Sequence, residues 1–257
     1  TGVSPTHTYS DSGNYSVTLT VTDADGAKDQ QSRTVSIVIP AAGQQWIKDN
    51  FDRNYVNGWG DADAGGAWLL TGSPTSFRVT DGAAEVELAA GQERRTRLEA
   101  VQSDEADAIF DYTFAKTITG SGSTWLDFIG RQVDMNNTYR SRVVTGTNGA
   151  VRVDLTRVLS GTSSTLASTT VPGLTLEGGE TLRVRTKVTG TAPTQLKVKV
   201  WKAGTGEPDA WNLERTDNTA SLQTEGGVGF SFYLSGSAAN APQTFKIDNL
   251  SVTTEGV

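Results

Sequence analysis

Between Tyr15 and Asp23 the chain alternates without a break. Tyr15, Val17, Leu19 and Val21 fall on one side, and Ser16, Thr18, Thr20 and Thr22 on the other. A period of two is that of an extended strand with one apolar face. The segment "DADGA" follows, with Asp25-Gly26 at the place of a tight turn, and "SRTVSIVI" (Ser32–Ile39) is the returning strand. The pattern predicts a hairpin. From residue 46 onward the helical period is almost absent. Strand-like segments recur instead, among them "SFRVTDG", "AAEVELAA", "AIFDYTFA", "TWLDFIGRQVD", "TYRSRVVTG", "AVRVDLTRVL", "TLRVRTKVTG", "TQLKVKVWKA", "GVGFSFYLSG" and "QTFKIDNLSV". Gly, Pro, Asn or Thr-Gly turns separate them at short intervals, which predicts an all-β sandwich or barrel. One segment breaks the pattern: in "GEPDAWNLERTD" (Gly206–Asp217) Pro208 suits a helix start, so a single helical turn is expected there.

The hairpin sequence "PTHTYSDSGNYSVTLTVTDADGA" resembles the carboxyl half of a PKD domain, an immunoglobulin-like β-sandwich. Thr8, Tyr9, Gly13, Tyr15, Leu19, Val21, Asp23 and Gly26 stand in that family's places. The family's amino half usually carries a Trp-Asp-Phe-Gly-Asp-Gly segment, and none is present. The resemblance therefore implies that the first half lies upstream in a longer parent protein, whose other domains would be partners of this chain. It also implies a secreted or cell-surface setting, where such modules serve as spacers and interaction domains. Within this stretch His7 is expected as a packed strand-entry residue. Asp23 and Asp25 fit a plain hairpin turn better than a calcium loop.

A second resemblance covers Trp46–Thr253. "DNFDR", "GWGDADAGGAW", "NTYRSRVV", "KVKVWKAGTGEPDAW" and "FKIDNLSV" look like a concanavalin-like, laminin-G-type jelly roll. The expected organisation is thus all-β: a partial PKD sandwich over 1–40, a linker over 41–45, a jelly roll over 46–253 and a tail over 254–257. A fold of this kind hosts lectins, glucanases, lyases and plain adhesion domains, so fold alone does not give the ligand. In related sandwiches a structural calcium ties the first strand to the last, and the acids in the matching places are Asp49 and Asp248.

Composition narrows the chemistry. The 257 residues carry a formal net charge of −7, a single His and no Cys. Bulk electrostatics disfavour nucleic acid, and thiolate chemistry and Cys-based zinc sites are excluded. The longest apolar run, Val35–Ala42, is too short to insert into a bilayer. Jelly-roll glucanases resemble one another in a Glu-x-Asp-x-(x)-Glu strand, which is missing. The nearest pair, Glu85 and Glu87, reads as part of an ordinary strand. Jelly-roll lyases commonly use a His on the sheet, and the only His here is His7. On these grounds the chain is expected not to be an enzyme.

Two features point to binding instead. Trp125 and Tyr139 begin strands in a Gly- and Asn-rich neighbourhood and are expected as exposed rings for a pyranose face. Trp59 and Trp68 read as core plugs, Trp211 as the anchor of the short helix, and Asp61 and Asp63 as turn residues. Alternation also turns a set of cations outward: Arg140 and Arg142, Arg152 beside Asp154, Arg183, Arg185 and Lys187, and Lys197 and Lys199 with Trp201. Side by side on neighbouring strands they would form one basic stripe. That stripe fits an anionic glycan or wall polymer; it also fits a solvated face that deters edge pairing. The functional expectation is a non-catalytic carbohydrate-binding or adhesion module that meets a polysaccharide or cell-surface glycan. A structural module of a phage tail or surface filament, located on a virion, is the alternative, and a glycan-degrading enzyme is the third reading.

Overall fold

The structure, a computed structural model, describes residues 7, 9, 13–37 and 43–254. Parts of the expected PKD region, linker residues 41 and 42, and tail residues 255–257 lie outside them. Among the described residues eighteen strands form in chain order: β1 (Gly13–Thr22), β2 (Lys28–Ile37), β3 (Gln45–Asp49), β4 (Tyr55–Val56), β5 (Leu69–Thr71), β6 (Phe77–Thr80), β7 (Ala83–Leu88), β8 (Glu93–Ser103), β9 (Glu105–Phe114), β10 (Ser123–Asp134), β11 (Asn137–Gly146), β12 (Ala150–Leu159), β13 (Thr162–Thr175), β14 (Thr181–Thr189), β15 (Thr194–Lys202), β16 (Leu213–Asp217), β17 (Gly226–Leu234) and β18 (Gln243–Thr253). Among the described residues, helix is confined to two single 3₁₀ turns, Pro74–Ser76 and Ala220–Leu222.

The all-β reading holds. β1 and β2 pair only with each other, antiparallel, in the register Tyr15 opposite Val35 and Val21 opposite Asp29. Asp23 Oδ1 accepts from the amides of Asp25 and Ala27, which closes the turn. The expected buried face of this hairpin is not buried: Val17, Leu19 and Val21 are 44%, 60% and 57% exposed. His7 is likewise exposed rather than packed, with its ring edge-on to Tyr9 at 4.7 Å.

The other strands make two antiparallel sheets. One has seven strands in the order β13-β12-β11-β10-β17-β8-β5. The other has nine, with β16-β15-β14-β9-β18-β7-β6-β4 as its main path and β3 also pairing β18. Sequence-adjacent strands β9 and β10 therefore belong to different sheets, as do β13 and β14. The inner faces share one core. Phe110 of β9 meets Phe230 of β17 at 5.1 Å, and Phe128 of β10 stands 5.5 Å from Phe230. Trp59, Phe51, Phe77, Phe232 and Phe245 extend this aromatic set, and all are fully buried. Rings in edge-to-face and offset contact bury large areas with little rotamer freedom to lose. Trp59 and Trp68 are core residues as expected, 5.0 Å apart. At one end Arg131 is wholly buried, donating from Nη1 to Thr194 Oγ1 at 2.6 Å and to the Leu222 carbonyl at 3.2 Å.

The helical turn expected in Gly206–Asp217 does not form. Leu213–Asp217 is β16, paired with β15 from Thr194 opposite Asp217 to Val198 opposite Leu213. The pairing groups of β15 outcompete the local helix signal of Pro208, because a strand edge satisfies backbone groups that one helical turn leaves open. Trp211 is half-buried and anchors no helix; its ring lies 4.7 Å from Lys199 Nζ.

Phe230 touches both sheets through rings on β9, β10 and β17. Phe230→Ala is expected to lower unfolding free energy by about 3–5 kcal/mol in urea titration, as large-to-small core changes do. A loss under about 1 kcal/mol would place the core elsewhere.

Candidate functional site

On the seven-stranded sheet, Leu126 and Phe128, Phe230 and Phe232, and Val153 and Leu155 point inward and are buried. The residues between them must then face out, away from the nine-stranded sheet. Register lines these outward residues up across the strands. Thr71, Arg95, Ser231, Asp127, Arg142, Asp154 and Ser168 stand side by side on β5, β8, β17, β10, β11, β12 and β13. The next row runs Glu93, Tyr233, Trp125, Val144, Arg152 and Thr170. Opposed residues in antiparallel strands have Cβ atoms about 4.5–5.5 Å apart, so members of a row touch. Glu93, Trp125, Asp127, Arg142, Ser231, Tyr233 and Ser235 line one open cleft of about 370 Å³.

Asp127 is the anchor of this cleft. Its side chain is almost entirely buried, yet it is charged and paired. Arg142 approaches side-on, Nε donating to Oδ1 at 2.6 Å and Nη2 to Oδ2 at 2.9 Å. Arg140 adds Nη1 to Oδ2 at 3.3 Å and donates from Nε to Thr138 Oγ1 at 2.8 Å. The Arg142 guanidinium also lies over the Trp125 ring, 4.5 Å from its centroid. Trp125 is fixed in turn by its Nε1–H donating to Ser123 Oγ at 2.7 Å and by the edge of Tyr233, 5.2 Å away. Burial works against the charged form of Arg142, but Asp127 outweighs it and raises the group above its ordinary value. Arg140 goes the other way: burial pulls it down, and Asp127, already shared, does not fully offset that.

Glu93 forms the other wall. Arg95 binds it side-on at 2.9 and 3.1 Å, and Ser231 donates to Oε1 at 2.7 Å. Burial raises the Glu93 carboxyl, while Arg95 and Ser231 lower it further, and the net lies below the usual carboxylate range. Beyond Arg142, Arg152 pairs side-on with the buried Asp154, which also accepts from Ser168 at 2.5 Å.

The single basic stripe expected from the sequence is in fact two faces. Arg140, Arg142 and Arg152 lie on the seven-stranded sheet. Arg183, Arg185, Lys187, Lys197, Lys199 and Trp201 lie on the outer face of the nine-stranded sheet, on the far side of the core. There Arg183 stands opposite Trp201, Arg185 opposite Lys199 and Lys187 opposite Lys197. Their charges are matched locally. Asp111 holds Arg183 at 2.7 and 2.8 Å, Asp107 holds Arg185 at 2.8 and 3.0 Å, and Lys187 reaches Asp107 at 3.3 Å. Glu207 meets Arg185 and Lys199, and Glu214 meets Lys197. Lys199 is buried under the loop that carries Glu207, donating to the Pro208 carbonyl at 2.7 Å, and Trp201 is only 7% exposed. Tyr139 also departs from expectation. It is buried, and its hydroxyl donates to Asp217 Oδ1 at 2.5 Å. The alternation that sends Arg140 and Arg142 outward sends Tyr139 inward.

Asp49 and Asp248 sit on paired strands, β3 and β18. Both oxygens of Asp49 are engaged: Arg53 binds them at 2.7 and 2.9 Å, Trp68 Nε1–H donates to Oδ2 at 2.8 Å, and the Phe51 amide to Oδ1 at 2.9 Å. Asp248 accepts from its neighbour Asn249, and burial raises its carboxyl. Among the described residues no cluster of three or more His, Cys, Asp or Glu side chains is poised around one point. Of the two acids set aside as an ordinary strand, Glu85 is buried and paired with Arg78 and Lys246, and Glu87 is exposed. Asp63 accepts from the Asn50 amide as a turn residue. Glu93, Asp127, Ser231 and Tyr233 were not singled out by the sequence. "TWLDF" and "GFSFYL" do carry the signal, since Asp127, Ser231 and Tyr233 alternate with buried rings.

Residues 1–39 match the family model of the PKD domain. No curated protein matches the chain. Solved structures do. The carbohydrate binding module CBM66 from Bacillus subtilis is 15% identical with a TM-score of 0.51, over 73% of this chain and 95% of that one. The alginate lyase Aly36B, solved with alginate trisaccharide, is 13% identical with a TM-score of 0.57, over 83% and 99%. SCLam, a non-specific endo-beta-1,3(4)-glucanase from family GH16, is 9% identical with a TM-score of 0.53, over 85% and 93%. At these identities the likeness is one of fold, the expected jelly-roll sandwich. It corrects the expectation that the chain is no enzyme: a lyase and a glucanase share the architecture with the binding module.

The Glu93 shift has a sign that can be checked. A carboxyl lowered in the folded state adds stability that is full above its unfolded value, about 4.5, and is lost as pH falls through the lower folded value. Melting temperature should fall more steeply below pH 4.5 in the natural protein than in Glu93→Gln. Equal slopes would remove the Arg95–Glu93–Ser231 contact from the account.

Proposed function

We propose that the chain engages a glycan on the outer face of the seven-stranded sheet, in the cleft between Glu93 and Arg142. The observation that carries this reading is the combination of an aromatic wall, Trp125 and Tyr233, with fixed polar groups in one open cleft. A sugar presents an apolar ring face and a rim of hydroxyls. Aromatic edges and faces suit the first, and Ser231, Ser235 and carboxylate oxygens suit the second. The volume falls in the range of small-ligand sites. The rows continue past Arg142 to Arg152, Asp154, Ser168 and Thr170, which gives a polymer a track across the strands. The fold neighbours, a carbohydrate-binding module and glycan-active enzymes, support glycan as the kind of partner.

A second reading, cleavage of the bound glycan, is favoured by one specific feature: two carboxylates, Glu93 and Asp127, line the same cleft, with Ser231 between their strands. Cleavage of a glycosidic bond by hydrolysis takes two carboxyl groups flanking that bond. Glu93, held in its ionised form, suits a base or nucleophile more than an acid.

A panel of neutral and acidic polysaccharides, screened by affinity electrophoresis, tests the first reading. At least one should retard the protein, and Trp125→Ala should weaken that retention about tenfold or more, with melting shifted by only a few degrees because Trp125 is half-exposed. Retention that survives Trp125→Ala but is lost in Arg183→Ala would move the site to the other sheet. For the second reading, reducing-end release or unsaturated product from a retained polysaccharide is expected to disappear in Glu93→Gln; bound polysaccharide that stays intact rejects it.

A further inference from the structure

A guanidinium has two edges that each match a planar carboxylate: the side edge, Nε with Nη2, and the end edge, Nη1 with Nη2. Asp127 occupies the side edge of Arg142. Nη1 of Arg142 has no hydrogen-bond partner among the described residues, so its end edge is uncommitted, and Arg142 lines the cleft. The group cannot turn away. Asp127 clamps it in its own plane and the Trp125 ring supports it from below at 4.5 Å. A cation held this way has already lost most of the side-chain freedom that binding would cost.

Charge around the cleft points the same way. Arg95, Arg140, Arg142 and Arg152 face Glu93, Asp127 and Asp154, four cations against three anions, a local excess of +1 in a chain of net charge −7. The excess arises because Arg140 and Arg142 share one carboxylate. Arg140 is almost fully buried beside Asp127, where water screens it poorly. Burial first, and then the charge of Arg95, lower its proton affinity, and Asp127 does not fully offset them.

We propose that the cleft selects acidic glycans, receiving the carboxylate of one uronic-acid unit on the end edge of Arg142, with Arg140 on the shared Asp127 adding to the positive charge it meets. This rests on the cleft being the glycan site. Planarity and two-oxygen geometry favour a carboxylate over a sulfate ester, which presents a tetrahedral group to the same edge.

Calorimetric titration of the whole chain with oligogalacturonate, oligoglucuronate and oligomannuronate, each as free acid and as methyl ester, tests it without altering the protein. At least one free acid should bind ten times or more tighter than its ester, and the preference should shrink as salt rises. A sulfated neutral oligosaccharide should bind more weakly than that acid. Arg142→Lys keeps a cation for Asp127 but has no second edge; it should melt near the natural protein and lose the acid-over-ester preference. Esters or neutral glycans binding as well as acids, with Trp125→Ala weakening both, would overturn the acidic selection and leave the glycan site standing. Sulfate binding as tight as carboxylate, or a preference that persists in Arg142→Lys, would overturn the assignment to this edge. No binding by any glycan, acidic or neutral, would overturn both.

Discussion

An extended strand turns successive side chains to opposite sides, and most of this molecule follows from that one constraint. Each strand of the seven-stranded sheet gives every second residue to the core, and the rest have to be accommodated outside it. On β10 the inward set is Leu126 and Phe128 and the outward set Trp125 and Asp127; on β17 it is Phe230 and Phe232 against Ser231 and Tyr233. The core fixes register, since a slip of one residue would drive Asp127 and Ser231 between the aromatic rings. Register in turn aligns the outward residues into rows. The cleft is thus a product of packing on the opposite side of the same strands.

The two outer faces use the same chemistry for different ends. On the nine-stranded sheet Arg183 and Arg185 are each matched by a carboxylate of β9, and Glu207 closes over Lys199 and the second edge of Arg185. Those cations are spent within the fold. On the seven-stranded sheet the pairs are also side-on, but Nη1 of Arg142 is left without a partner among the described residues, and the aromatic rings beside it are half-exposed. The difference lies in which guanidinium edges the fold engages rather than in residue type: Glu207 takes Nη1 of Arg185, and nothing described takes Nη1 of Arg142.

Much of this was legible in the chain. The hairpin turn at Asp25-Gly26, the all-β class and the inward and outward sets of β12, β14 and β15 follow from alternation and turn residues. What alternation does not carry is sheet membership. "VRVDL" and "LRVRTKV" look alike, yet β12 and β14 fall in different sheets because the chain crosses over after β13. Nor does it reveal partners distant in sequence: Asp107 and Asp111 neutralise residues more than seventy positions later. The helix expected at Pro208 failed because β16 found a strand to pair with. Asp127 and Ser231 went unnoticed because each sits alone between large apolar neighbours, where the core signal is loudest.

Ligand is expected to meet the molecule on the face built around Asp127 and Arg142. Backbone amide chemical shifts, followed by NMR while a retained oligosaccharide is titrated, test it most directly. The account predicts that the shifting amides cluster on β8, β17, β10 and β11, with the Arg142 Nε–H among the largest changes. Shifts concentrated instead on β14, β15 and β9, with the Trp125 indole N–H unmoved, would contradict it.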